Sequence, residues 1–248
     1  MGLLPTQKTV CSIQDPKNLI IFGLPKVGKT TSISQLPNTL IVDLEEGSTY
    51  VSGYVIKAKT HEDLFNIAKA LKTEQHNFKF VVLDTVTALE DIALPLANQL
   101  YRNTPMGIDW DPNESVLKIP RGAGYAYLRE AMQKIIGWFE KVCDNVILVG
   151  HVKDSVITQQ GTDLNVKALD LSGKTASVLS AKSDAICYVF RDPENGKLMA
   201  NFGDLHDVLC GSRLSRLSGK TICLSERNDK GEIITHWNEI YPSLNEQQ

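Results

Sequence analysis

The chain has 248 residues, 42% of them hydrophobic and 22% charged, with 26 Lys and Arg against 29 Asp and Glu for a formal net charge of −3. This balance excludes an intrinsically disordered chain, and it leaves no global attraction to nucleic acid, so any such binding has to come from a local patch. The longest apolar runs, such as residues 19–22 and 146–149, fall far short of a membrane span of ~20 residues, and residues 1–10 lack the pattern of a secretory signal, so a cytoplasmic location is expected.

In chain order, the apolar run 18–22 ends at Gly23 and reads as a buried parallel strand, with a helix expected from Lys29. A second strand, 39–42, ends in Asp43, Glu45 and Glu46 before Gly47 breaks it. Residues 53–58 read as a further strand, and from His61 the apolar Leu64, Ile67, Ala68 and Leu71 lie on one helix face. The run 78–83 is a strand closed by Asp84, with a helix over about 86–100. Residues 101–124, rich in Asn, Pro, Gly and Asp, are predicted to be a surface loop. Leu128, Met132, Ile135, Phe139 and Val142 mark a helix over 125–142, and a strand over 145–149 ends at Gly150 and His151.

A second irregular, polar stretch is expected over 152–172. Strands at 185–190 and 198–202, joined by a turn at 193–196, make the end of the sheet antiparallel, with edge material at 221–224 and 232–237 and a polar, frayed tail at 245–248. Leu-Ser-Gly-Lys-Thr at 171–175 and 217–221 has unrelated flanks and is no repeat. The expected class is α/β: a mostly parallel central sheet flanked by helices with an antiparallel C-terminal extension. No linker is marked, so one domain is expected over 1–248, with a core of about 17–225 and a short N-terminal arm. The five cysteines, Cys11, Cys143, Cys187, Cys210 and Cys223, show neither disulfide nor zinc spacing and read as reduced core thiols.

Gly23-Leu24-Pro25-Lys26-Val27-Gly28-Lys29-Thr30 fits G-x-x-x-x-G-K-[ST] between a strand and a helix, the context in which such a loop cradles phosphates. Residues Gly23 to Thr31 are therefore the candidate nucleotide cradle. The glycines let backbone N–H groups turn toward phosphate oxygens where a side chain would fill the space, and the helix from Lys29 adds its dipole. Lys29 is placed to reach the β- and γ-phosphates and Thr30 to ligate Mg²⁺. The later Gly-Lys-Thr triplets have Ala168 and Leu214 where the first glycine is needed and are not further phosphate loops.

Asp84, expected beside the first strand at the carboxyl edge of the sheet, is the candidate second Mg²⁺ holder, with Thr85 next to it; the bland alternative is a turn former or N-cap. Glu45 and Glu46 are candidates to deprotonate an attacking water, Glu45 being preferred; alternatively all three acids are a solvated strand end. His151 is placed to sense the γ-phosphate, or is a turn residue. His61, His76, His206 and His236 have no metal-ligand spacing and receive no role.

The landmarks Gly-Leu-Pro-Lys-Val-Gly-Lys-Thr-Thr (23–31), Ile-Val-Asp-Leu-Glu-Glu-Gly (41–47), Val-Val-Leu-Asp-Thr-Val-Thr-Ala-Leu (81–89), Val-Ile-Leu-Val-Gly-His (146–151) and Ser-Asp-Ala-Ile-Cys-Tyr-Val-Phe-Arg (183–191) together resemble the RecA-like P-loop ATPase core. More narrowly, they are similar to phage-type P-loop proteins that include RecA-like single-strand annealing recombinases. The resemblance implies an ATPase using ATP and Mg²⁺, Glu45 as general base, and His151 as a sensor leading into a DNA-binding stretch over 152–172. The RecA residue at the sensor position is glutamine, from which His151 departs. The resemblance further implies single-stranded DNA, a homo-oligomeric ring or filament and a single-strand-binding protein as partners, and, for a phage-encoded chain, a bacterial host cytoplasm.

Charge counting tempers the DNA reading. Lys153, Lys167 and Lys174 are matched by Asp154, Asp163 and Asp170. Residues 210–220 are more basic, and Arg213, Arg216 and Lys220 fit a DNA backbone contact, an arginine finger from Arg213 to a neighbouring subunit, or a solvated face. Tyr101, Trp110, Tyr125 and Tyr127 could stack on bases or pack in the core. Two other function classes remain: a nucleotide phosphotransferase, for which 101–121 offers only Arg102 and Arg121 as lid arginines, and a nucleotide-dependent binding switch with little turnover.

Overall fold

The computed structural model describes residues 14–159, 162–203 and 205–247, so the readings of the N-terminal arm, Cys11 and the last residue lie outside it. Its strands are β1 (Asn18–Gly23), β2 (Thr39–Asp43), β3 (Tyr54–Lys57), β4 (Phe80–Asp84), β5 (Asn145–Gln159), β6 (Thr162–Leu169), β7 (Ala185–Arg191), β8 (Leu198–Asn201), β9 (Gly211–Ser212), β10 (Thr221–Arg227) and β11 (Ile233–Thr235). Its helices are α1 (Lys29–Ile33), α2 (His61–Thr73), α3 (Val86–Arg102), α4 (Gly124–Glu140) and α5 (Thr175–Lys182).

The sheet runs β11-β10-β8-β7-β1-β5-β4-β2-β3, with β6 paired to β5 and β9 to β7. From β3 to β7 every neighbour along this order is parallel, and from β7 through β8 and β10 to β11 every neighbour is antiparallel. The fold class is therefore the expected mixed α/β one. The parallel strands need crossovers, of which α2, α3 and α4 supply several, whereas the antiparallel pairs β7–β8 and β10–β11 close by short turns.

Alternation along the strands decides the two layers, because successive side chains point to opposite faces. Ile20, Phe22, Val81, Leu83, Val146 and Leu148 pack with Leu64 of α2, Leu89 of α3 and Ile135 of α4. Leu19, Ile21, Val82, Ile147, Val149 and Val189 pack on the other face with Ile33, Leu198, Trp237 and Tyr241. At ~1.5–3 kcal/mol for each fully buried large apolar side chain, these two clusters hold the strand ends in place. Helix α2 starts at a capping box, in which Thr60 accepts from the Asp63 N–H at 3.1 Å and Asp63 accepts from the Thr60 N–H at 3.0 Å.

The helix expected from Lys29 is present, but it runs only over Lys29–Ile33, so it sums few peptide dipoles. The structure corrects four expectations. Strand β5 does not stop near His151 but continues to Gln159 and returns as β6, so the expected irregular stretch is largely a β-hairpin, followed by α5. Polar residues among Val152, Val156 and Leu164 hid this hairpin, whose base is buried through Val166 and Leu169 while Val156 and Leu164 farther out are exposed. The 101–124 segment is not simply a surface loop: Tyr101, Val116 and Ile119 are buried with α3 and α4. Asp84 does not lie beside the first strand either, since β5 sits between β1 and β4. The C-terminal tail forms a 3-10 turn over Pro242–Gln247.

Candidate active site

Register brings the functional ends of four strands to one edge. Gly23 of β1 is level with His151 of β5, and Asp84 of β4 is level with both Val149 of β5 and Asp43 of β2. Ligands of open α/β sheets bind outside the carboxyl ends of the strands.

The phosphate loop needs its two glycines for different reasons. A Cβ on Gly23 would lie 2.3 Å from the Val189 carbonyl oxygen of the neighbouring strand, and Gly28 has φ +115°, which L side chains rarely adopt. Room for phosphate alone, as the sequence suggested, is not the constraint at Gly23. Lys29 is buried and its Nζ donates to the Gly23 and Leu24 carbonyls at 3.0 and 2.9 Å. Burial lowers its pKa, and the charges of Asp84 and Glu45 act the other way. Among the described residues Lys29 forms no ion pair within 4.0 Å, so the buried ammonium facing the loop has anions near it but none in contact. A triphosphate fits that deficit.

Thr30 Oγ1 donates to Asp84 Oδ2 at 2.6 Å. Burial raises the Asp84 pKa; Thr30 and Lys29 oppose this, and Glu45 and Asp43 add to it. A divalent cation beside Asp84 would favour its ionised form, so a hydroxyl and a carboxylate in contact fit Mg²⁺, a hard ion with oxygen ligands.

Asp43 is not part of a solvated strand end. Its Oδ1 accepts from the N–H groups of Glu45 and Gly47 at 3.1 and 3.2 Å, and its Oδ2 from the Ser48 N–H at 3.0 Å and from the Ser48 hydroxyl. Burial pushes its pKa up, but these donors outweigh it and the net shift is downward. Asp43 thus ties down the turn that carries Glu45. Glu46 points into a surface ion pair with Lys59 at 2.6 Å, which leaves Glu45 as the acid on the site. The Thr85 hydroxyl donates to Glu45 Oε1, and His151 Nε2 stands 3.2 Å from both Glu45 oxygens. Thr85 also caps α3, accepting from the Ala88 N–H at 3.2 Å.

A family model described as an AAA domain matches residues 15–221. The chain belongs to that family. Membership of an AAA family supports a nucleotide-binding protein. Among solved structures it is similar to one titled "Crystal structure of the RadB recombinase", at 14% identity over 88% of this chain and 90% of that one, with a TM-score of 0.47, too low a likeness to carry a functional argument. No curated protein matches.

Sequence reasoning gave no role to Arg191, which quoted landmarks nonetheless include. In the AAA domain Arg191 Nε donates to the Val27 carbonyl and Nη1 to the Gly196 carbonyl, both at 2.9 Å, so the end of β7 braces the phosphate loop. The only sequence signal was its place at the end of a strand next to β1.

The candidate DNA contacts do not form one free basic face. Arg216 donates to the carbonyls of Gln14, Glu239 and Ile240, and so staples the two ends of the described chain together. Lys167 pairs with Asp207 at 3.0 Å, and Lys153 donates to the Leu171 carbonyl at 2.6 Å and pairs with Asp170 at 3.4 Å. Arg213 donates to the Ala181 carbonyl and lies 3.8 Å from Asp184, so it does face an acid in space. Lys174 is exposed. Tyr101 packs against Trp110 and Tyr127 at centroid distances of 5.4 and 5.1 Å, so these rings are core cement, while Tyr125 stays exposed. Among the described residues no helix of the AAA domain is long and apolar enough to cross a membrane.

Proposed function

We propose that the chain is a single-domain, RecA-like enzyme that binds ATP with Mg²⁺, hydrolyses it, and couples turnover to single-stranded DNA in phage-type recombination or strand annealing. The reading is carried by the continuity of β5: the strand that holds His151 3.2 Å from Glu45 runs unbroken into the β5–β6 hairpin. The hairpin is paired over eight residue positions, which gives a movement at its base a continuous ladder to follow.

In this reading the amides of residues 23–31 and the Lys29 ammonium hold the triphosphate. Thr30 and Asp84 hold Mg²⁺, which neutralises phosphate charge when bound. Glu45 accepts a proton from the attacking water, Thr85 and Asp43 keep its carboxylate in position, and His151 reports its state to the hairpin. DNA would follow a groove of about 670 Å³ between the hairpin, α5 and β9, which Lys153 and Arg213 both line. Subunits would add head to tail as a ring or filament, which a single-strand-binding protein could load. Because only Lys153 and Arg213 would meet phosphates there, DNA binding should depend only weakly on salt.

The test is ATP hydrolysis by wild type, Lys29→Ala and Glu45→Gln, with and without single-stranded DNA. Wild type should turn over faster with DNA, Lys29→Ala should neither bind nor hydrolyse ATP, and Glu45→Gln should bind ATP but turn over about 100-fold more slowly. Unchanged turnover in Glu45→Gln would favour a binding switch, phosphate transfer to an added nucleotide would favour a phosphotransferase, and no heat on titrating ATP with Mg²⁺ into folded protein would defeat the reading.

A further inference from the structure

The C-terminal part of the sheet contains a group of side chains that the nucleotide chemistry does not use. In a regular strand Cys223 and Glu226 would point to opposite faces. They do not, because β10 carries a bulge: Cys223 is level with Met199 and Ser225 with Leu198, so Leu224 is the extra residue. Leu224 and Ser225 are consequently both buried, while Cys223 and Glu226 are both half-buried on the other side. His236, just beyond β11, is held to the bulge by its backbone N–H, which donates to the Leu224 carbonyl at 2.9 Å. Its Nε2 lies 3.1 Å from Glu226 Oε1, and one ligand atom from each of Cys223, Glu226 and His236 falls within 4.8 Å of the others.

We propose that Cys223, Glu226 and His236 form a binding site for a zinc-class divalent cation, with water in the fourth position. Zinc bonds of about 2.0–2.3 Å to sulfur, nitrogen and oxygen put tetrahedral ligand atoms roughly 3.3–3.7 Å apart, a contraction that side-chain rotation supplies. A thiolate and an imidazole select zinc or cobalt over magnesium or calcium. Lys197 Nζ lies 2.6 Å from Glu226 Oε2, which leaves Oε1 for the ion and fixes the carboxylate as an outer-sphere partner does. Binding releases the Cys223 thiol proton to solvent, and the ion pins β10 to the segment after β11. Glu226 also lines a small cleft with Gly28, Thr31 and Arg191, so the ion would sit beside the phosphate loop. The proposal is independent of ATP hydrolysis. Sequence spacing could not show the site, because Cys223 and Glu226 share a face of β10 only through the bulge and His236 joins them from beyond β11.

The test is Co²⁺ titration of the untagged, EDTA-treated full chain, read by the thiolate-to-cobalt absorption band, followed by a Zn²⁺ chase. Wild type should bind one Co²⁺ with the band, lose the band to Zn²⁺, and melt several degrees higher with Zn²⁺ than with EDTA. Cys223→Ser should abolish the band, and His236→Gln should weaken binding by at least about 100-fold, both variants keeping the wild-type far-UV spectrum. If wild type binds no ion, or if Cys223→Ser binds Co²⁺ with the same band and affinity, the proposal fails and the three side chains with Lys197 are a surface ion-pair network. Should a variant not fold, Cd²⁺ protection of the Cys223 thiol from alkylation in wild type, located by peptide mass, decides the question: protection supports the site and its absence overturns it.

Discussion

Asp43 and Asp84 end neighbouring strands and stand level with each other, yet their surroundings treat the two carboxylates in opposite ways. Asp43 collects three backbone N–H groups and a hydroxyl, enough to lower its pKa despite burial. Asp84 receives one hydroxyl hydrogen bond, from Thr30, and burial leaves its pKa raised. A carboxylate that the fold satisfies completely serves the fold. One that it leaves under-satisfied beside a buried lysine is held ready for something the chain does not itself supply, which here is a cation with a phosphate.

The sharpest way to break this contrast is Asp84→Asn. If Asp84 is kept for a cation, the substitution should lower Mg²⁺-dependent ATP hydrolysis by about 100-fold and at the same time raise the melting temperature of the nucleotide-free protein by a few degrees. Asn keeps an oxygen for the Thr30 hydroxyl while removing the buried charge. A nucleotide-free Asp84→Asn protein that melts lower than wild type would show that the carboxylate is structural.

Asp43→Ala should act in reverse. Removing a charged acceptor from its donors should cost about 2 kcal/mol in urea melts and slow turnover secondarily by loosening the Glu45 turn. A variant as stable as wild type would remove Asp43 as the anchor of that turn.

The pH dependence separates the two with the sign worked out. Asp43, with its folded pKa depressed, contributes stability that is fully present above the unfolded carboxylate value of about 3.9 and is lost as pH falls through the folded pKa. Asp84, with its folded pKa raised, carries no penalty below that unfolded value and acquires one as pH rises through the folded pKa. In urea melts from pH 7 downward, the deficit of Asp43→Asn should therefore shrink, and so should the advantage of Asp84→Asn, the latter beginning at the higher pH. Advantages and deficits that stay constant with pH would show that the charges are not responsible.

How far the sequence reached follows the same division. Continuous apolar runs found β1, β2 and β4, which are buried on both faces, and helical periodicity found α2, α3 and α4, each of which turns one face to the apolar core. The phosphate loop was legible because motif and context are both local in the chain. These patterns missed the β5–β6 hairpin and α5, whose few buried side chains, such as Val166, Leu169 and Leu179, are scattered among polar residues, and the position of β5 between β1 and β4, which depends on pairing between distant segments. Asp43 and Asp84 could not be told apart by sequence either. Both are acids after apolar strands, and only the donors gathered in space by Glu45, Gly47 and Ser48 distinguish them.

The smallest expected effect belongs to Glu46, and it sharpens the comparison by supplying a third acid from the same turn. Its carboxylate meets Lys59 at 2.6 Å with both side chains largely in water, and pairs of that kind contribute little because solvent screens them and their side chains lose entropy on pairing. Glu46→Gln should therefore leave the urea midpoint and the rate of ATP hydrolysis within error of wild type. Because Glu45 and Glu46 are adjacent and equally acidic, a variant pair in which Glu45→Gln is slow and Glu46→Gln is normal would tie function to the contacts with Thr85 and His151 rather than to negative charge at this strand end. Equal loss in both would instead mean that the site responds to the field of the whole turn.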